Sequence, residues 1–148
     1  MPLVYITLPQ ALAIHAKTVE VSGGGSLGIL DTGKLDSVLE HIQNDDYYPS
    51  FIEKITHLFY CSNKFHCFVD GNKRIAISLS TQFLLLNGYM YCAGRFIREM
   101  ENISYHLAAG KIDKELLHDI IDAIIDQSLD ENEALKLRIL HAIQDVSN

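Results

Sequence analysis

A chain of 148 residues can bury about 70% of its unfolded surface, so one domain over residues 1–148 is the expectation. Its net charge of −7 argues against nonspecific nucleic-acid binding, which relies on Lys and Arg to neutralise phosphates. Three cysteines (Cys61, Cys67, Cys92) without CxxC spacing, and no signal-like apolar leader after Met1, point to a reducing cytoplasm without a disulfide framework. No apolar run approaches the ~20 residues that span a bilayer, so no membrane partner is expected.

Thr7-Leu8-Pro9-Gln10 reads as a helix start. Thr7 is the cap, Pro9 lies in the first turn and Gln10 takes the capping-box position. The helix runs to about Val21, with Leu8, Leu12 and Val19 inward and His15 near that stripe as a structural histidine. The segment from Ser22 to Gly28 is too glycine-rich for regular structure and lacks the P-loop Lys-Ser/Thr, so it reads as a connector. Leu35, Val38, Leu39 and Ile42 recur at helical spacing over about Gly33 to Gln43. The turn formers and aromatics from Asn44 to Pro49 interrupt it.

A third helix opens at Pro49 or Ser50 and runs to about Cys61, with Phe51, Ile55, Leu58 and Phe59 inward. A fourth, from about Asn72 to Leu86, is apolar almost all round, the mark of a helix buried on most sides. Asn87-Gly88 stops it. A fifth helix is expected over Arg95–Ala109, ending at Gly110. Asp113 caps a sixth, with a stripe of Leu116, Leu117, Ile120, Ile121, Ile124 and Ile125. Capping-box spacing from Asp130 to Glu133 opens a seventh that runs to about Val146 and is the one left to serve a partner. The fold class is therefore all-α, a bundle of six to seven helices around a central buried helix.

The polar residues concentrate in His66-Cys67-Phe68-Val69-Asp70-Gly71-Asn72-Lys73-Arg74, just ahead of the central helix. The first N–H groups of that helix have no intrahelical acceptor, and with the helix dipole they favour an anion such as phosphate. Gly71 permits close backbone approach. Lys73 and Arg74 are mildly unfavourable in a first turn unless an anion lies there. Asp70 supplies a hard oxygen of the kind Mg²⁺ takes beside phosphate oxygens, and His66 is a titratable base four residues ahead. Taken singly, each has a bland reading: core histidine, N-cap, solvated cations. Together they equip a site for attack by a hydroxyl on a nucleotide. A zinc site from Cys61, His66 and Cys67 matches no usual ligand spacing. Phe65, Phe68 and Val69 read as apolar anchors of the loop.

This stretch resembles the Fic/Doc (Fido) family, whose motif reads H-x-F-x-D/E-G/A-N-G/K-R; His66, Phe68, Asp70, Gly71, Asn72, Lys73 and Arg74 match it. The likeness is strongest to the Doc (death-on-curing) branch. It takes in Ile6-Thr7, His15, the Gly-Gly loop, Gly28-Ile29 with Asp31, and Tyr48-Pro49. It implies a Fido fold and transfer from ATP to a hydroxyl of a target protein. His66 would be the general base and Asp70 the Mg²⁺ ligand. Phe68, Gly71, Asn72, Lys73 and Arg74 would form the nucleotide and phosphate site. The Asn44–Tyr48 loop would be a small flap that aligns the target by strand-like pairing.

Members that transfer AMP commonly have Gly at the position of Lys73 and a further Arg at that of Ile77. The Doc-like branch shares the lysine, and its type member is a kinase of elongation factor Tu. The resemblance therefore favours phosphoryl transfer, with adenylyl transfer or an inactive binding module as alternatives. Cys67 stands in place of the usual Pro, Ile75 of Thr and Leu30 of Arg. No S/T-x-x-x-E-G/N inhibitory sequence occurs in the chain, which suits a toxin restrained by a separate antitoxin protein.

Overall fold

The computed structural model describes residues 2–21, 32–64 and 72–144. Among them run seven α-helices and no strand: α1 (Leu8–Val21), α2 (Thr32–His41), α3 (Phe51–Lys64), α4 (Asn72–Leu86), α5 (Met90–Ala108), α6 (Lys114–Ile125) and α7 (Glu133–Ile143), with a 3₁₀ turn at Leu129–Glu131. The all-α expectation holds.

The helix starts follow local chemistry. Thr7 and Gln10 form the reciprocal capping box, the Gln10 N–H donating to Thr7 Oγ1 at 3.3 Å and the Thr7 N–H to Gln10 Oε1 at 3.0 Å. Ser50 caps α3 through the Glu53 N–H (3.1 Å), and Asp113 caps α6 through the Leu116 N–H (2.8 Å). Gly88 (φ +87°) and Gly110 (φ +81°) end α4 and α5 in the left-handed region that glycine enters without strain.

Helix α3 runs to Lys64 where an end at about Cys61 was expected, and two helix starts differ as well. Helix α5 starts at Met90, five residues before Arg95, although its N-cap Tyr89 makes no side-chain bond and Gly94 lies inside the helix. Tertiary packing overrides the weak local signal, because Cys92 and Ala93 are buried. At the other end, Asn132 caps α7 by accepting from the Leu135 N–H at 3.1 Å. Asp130 instead forms a bidentate pair with Arg95 at 2.8 and 3.0 Å.

Helix α4 is central. It packs chiefly on α3 and α5, with α1 on a third side, and Ile75, Ala76, Leu79, Phe83 and Leu84 are fully buried. It is not buried all round: Leu85 is 41% exposed and Ile77 only half-buried, which leaves one flank of α4 open. Phe51 lies between the rings of Phe83 (4.9 Å) and Tyr89 (4.4 Å), joining the start of α3 to the end of α4. Asn87 pins the N-terminal segment there by accepting from the Val4 N–H and donating to the Val4 carbonyl, at 2.8 and 2.9 Å. Helix α7 is docked through buried Leu135, with Ile139, Ala142 and Ile143 against the core, while Leu137 and Leu140 face outward. None of the described helices is long and apolar enough to cross a membrane.

Candidate active site

The predicted site residues divide sharply. His66, Phe68, Asp70 and Gly71 lie outside the described residues, as do Cys67, the Ser22–Gly28 connector, Leu30 and Asp31. Asn72 is described only as the residue that opens α4. Lys73 and Arg74 follow it in the first turn, both exposed, on a helix with no acidic residue in that turn. The dipole opposes two cations there and favours an anion beside them.

The first turn is anchored from two neighbouring helices. Ser104, buried on α5, donates its hydroxyl to the Lys73 carbonyl at 2.8 Å. Asn63, buried in the last turn of α3, donates its amide to the Ser104 carbonyl (3.0 Å) and Oγ (2.8 Å). Neutral groups thus fix the helix start in place. No local sequence pattern marks Asn63. Ser104 carries one, a hydroxyl on the buried stripe between Met100 and Leu107.

Arg74 also edges a cavity of about 550 Å³ between α1, α4 and α5, within the range of small-ligand sites. Ile14, Val21, Ile77 and Ile97 supply its apolar wall, and Lys17 and Glu101 stand with Arg74 as its charges. Thr18 donates to the Ile14 carbonyl at 2.7 Å and lies 3.0 Å from Ser78 Oγ, the Ser78 hydroxyl donating to it and bridging α4 to α1 beside the cavity. The one Mg²⁺ ligand named from the sequence, Asp70, lies outside the described residues. Among the described residues no group of three His, Cys, Asp or Glu side chains is placed to hold a metal. Ile75, where Thr is usual, is a fully buried core residue.

The turn expected to act as a flap folds on itself. Asn44 Oδ1 accepts from the N–H groups of Asp46 (2.9 Å) and Tyr47 (3.3 Å), and its carbonyl accepts from the Tyr48 N–H at 2.9 Å. Three donors that strand-like pairing would need are therefore already engaged. Lys54 holds the same turn from below, donating to the Ile42 carbonyl (2.6 Å) and to Asp45 Oδ1 (2.7 Å). Burial pulls the Lys54 pKa down, but the hydrogen bonds to Asp45 and Tyr5 outweigh it and leave it raised.

Beside Lys54, Tyr48 stacks on His57 at 4.4 Å and brings its hydroxyl 3.2 Å from Nε2. The Lys114 ammonium donates to His57 Nδ1 at 2.9 Å, so the neutral ring carries its proton on Nε2. Burial, then the charges of Lys114 and His41, lower the His57 pKa to about 4. Cys61, considered above as a zinc ligand, lies 3.5 Å from His57 Nε2.

The fold is helical around α4, whose first turn carries two cations, and the chain belongs to the Fic/Doc family, whose model matches residues 5–84. Members of that family are generally transferases that use ATP and Mg²⁺. The match takes in α1 through most of α4 and includes the whole His66–Arg74 stretch. The protein named Toxin Doc of Mycolicibacterium smegmatis (strain ATCC 700084 / mc(2)155) is 30% identical over 97 residues, covering 63% of this chain and 75% of that one.

Proposed function

We propose that this chain is a Doc-like protein kinase, a single domain that transfers the γ-phosphoryl group of ATP to a hydroxyl of a target protein and acts as the toxin of a toxin–antitoxin pair. His66 takes the proton of the target hydroxyl as its oxygen bonds to phosphorus and the bond to the β-phosphate oxygen breaks, releasing ADP. Gly71, Asn72, Lys73 and Arg74 hold the phosphates at the start of α4, with Phe68 anchoring the loop. Asp70 would hold Mg²⁺, which when bound neutralises phosphate charge.

The observation that carries phosphoryl over adenylyl transfer is the pair Lys73 and Ile77. A lysine stands in the first turn of α4, and Ile77 turns an apolar side chain into the cavity that Arg74 edges. An arginine one turn on, which would draw the terminal phosphates into that cavity, is missing. The name Toxin Doc of the M. smegmatis relative supports the toxin reading and, with it, an antitoxin partner. A reducing cytoplasm, expected from the cysteine spacing, would fit the same reading.

Incubation with cell extract and ATP labelled at either the α or the γ phosphate tests this. Protein labelling from γ alone, abolished in His66→Ala, is the expected result. Labelling from α would replace the reading with AMP transfer, and no labelling from either would favour an inactive binding module. Lys73→Gly should weaken γ transfer and admit AMP transfer; a variant indistinguishable from the parent with both labels would remove the lysine argument.

A further inference from the structure

His57 stands where α2, the 44–48 turn and α6 meet α3, and the groups around it leave no place for a charged ring. His41 faces it from α2 at 6.4 Å between ring centroids, and Tyr48 stacks on it from the turn. Cys61 lies one turn on along α3, and Lys114 reaches it from α6. Glu53, one turn earlier on α3, and Glu115 and His118 of α6 line a cavity of about 300 Å³ beside this cluster. Among the described residues no carboxylate pairs with the His57 ring, whereas His118 has Asp119 at 3.1 Å. We propose that His57 is a proton-operated latch between the 44–48 turn and α6. The neutral ring seats the Lys114 ammonium, and a proton on Nδ1 expels it towards Glu53 and Glu115.

The geometry makes the two cations alternatives. With its proton on Nε2, towards the Tyr48 hydroxyl (3.2 Å) and Cys61 Sγ (3.5 Å), the neutral ring keeps one basic atom, Nδ1. Lys114 Nζ occupies that atom at 2.9 Å. A second proton must enter there, so the charged ring and the seated ammonium exclude each other. The ammonium also lies over the faces of Tyr48 and Tyr60, 5.7 and 5.6 Å from their centroids. A cationic imidazole stacked on Tyr48 takes its place at the first of those faces, so Tyr48 does not lose its cation when Lys114 leaves. Burial, then the charges of Lys114 and His41, hold the His57 pKa at about 4, which sets the latch to open in acid. Opening unties α6 from the turn and leaves the turn on α3, where Lys54 still holds Asp45 and the Ile42 carbonyl. The latch belongs to the fold and does not depend on the kinase reading.

Side-chain NMR of the full chain, titrated through the acid range, tests this without any need for activity. At neutral pH the two tyrosine rings should shift the Lys114 Hε resonance upfield. That shift should be lost with the same midpoint as the His57 Cε1–H titration, while the amide spectrum of α4 keeps its folded dispersion. In Lys114→Met the His57 midpoint should rise by about one unit, because the cation opposing the proton is gone. In His57→Gln, whose amide oxygen can still accept from Lys114, the upfield shift should persist throughout. Asp45→Asn, which removes the other titrating group that holds the turn, should leave the transition unchanged. A Lys114 resonance that stays shifted while His57 titrates, or an unmoved His57 midpoint in Lys114→Met, would overturn the latch. So would a transition that survives His57→Gln, one that vanishes with Asp45→Asn, or a shift lost only as the whole chain unfolds.

Discussion

The two ends of α3 bury polar groups in opposite ways. At its N-terminal end Lys54 and His57 meet Asp45, Tyr48 and Lys114, groups whose charge depends on pH. At its C-terminal end Asn63 reaches Ser104 and, through it, the Lys73 carbonyl, using only amide, hydroxyl and carbonyl groups. The first end fixes the 44–48 turn and the second fixes the start of α4. Neutral bonds hold the second without adding a further charge to the turn that carries Lys73 and Arg74. The 44–48 turn is held by charge instead.

Lys54→Met should give the largest loss. It keeps the apolar stem but leaves the Ile42 carbonyl without its buried donor, a cost of about 2–3 kcal/mol. The Asp45 half of the pair adds little because that carboxylate is 79% exposed. Urea unfolding would measure the loss. A loss below ~1 kcal/mol would mean that solvent reaches the carbonyl and that the charged end of α3 is not sealed.

His57 tests the difference in pH response. Its pKa falls from 6.5 unfolded to about 4 folded. A depressed histidine pKa means that the folded state binds fewer protons than the unfolded one between those values. The stabilisation is complete above pH ~6.5 and is lost as the pH falls towards 4. Screening at a ring that solvent partly reaches reduces the full linkage value to about 2 kcal/mol. His57→Gln, which can still accept from Lys114, should flatten the acid limb of a stability–pH curve. An unchanged slope would place the titration elsewhere.

Ser104→Ala probes the neutral end. It should cost about 1 kcal/mol with no change in the shape of the pH curve, since no titrating group is removed. It should also slow the proposed γ-phosphate transfer by loosening the first turn of α4. A change in pH slope would erase the contrast between the two ends.

The sequence showed one end of this contrast poorly and the other hardly at all. Helix count and the caps at Thr7 and Asp113 were legible because each depends on residues within one turn. The start of α5 was not, because burial of Cys92 and Ala93 sets it against weak local propensity. The dense polar motif showed where chemistry belongs, yet its anchors Asn63 and Ser104 are 41 residues apart. Lys54 lay in a helical pattern where a lysine ordinarily faces solvent. Only the packing of α2 and α3, 12 residues apart at the Ile42 contact, reveals that it faces inward.

The smallest effect belongs to a site remote from both ends of α3, and it serves as their control. Gln127 follows α6 with φ 59°, in a C-terminal motif where its own N–H reaches the Ile124 carbonyl (3.2 Å) and the Ser128 N–H reaches the Ala123 carbonyl (2.9 Å). That conformation strains a side-chain-bearing residue and suits glycine. Gln127→Gly should therefore stabilise the fold by about 0.5–1 kcal/mol, the relief of strain exceeding the extra entropy of the unfolded glycine. The gain should be the same at pH 4 and pH 7 and should add to the effects of Lys54→Met and Ser104→Ala, with which Gln127 shares no partner. A gain that varied with pH would mean that the acid limb reports a property of the whole chain, and the slope could no longer be assigned to His57.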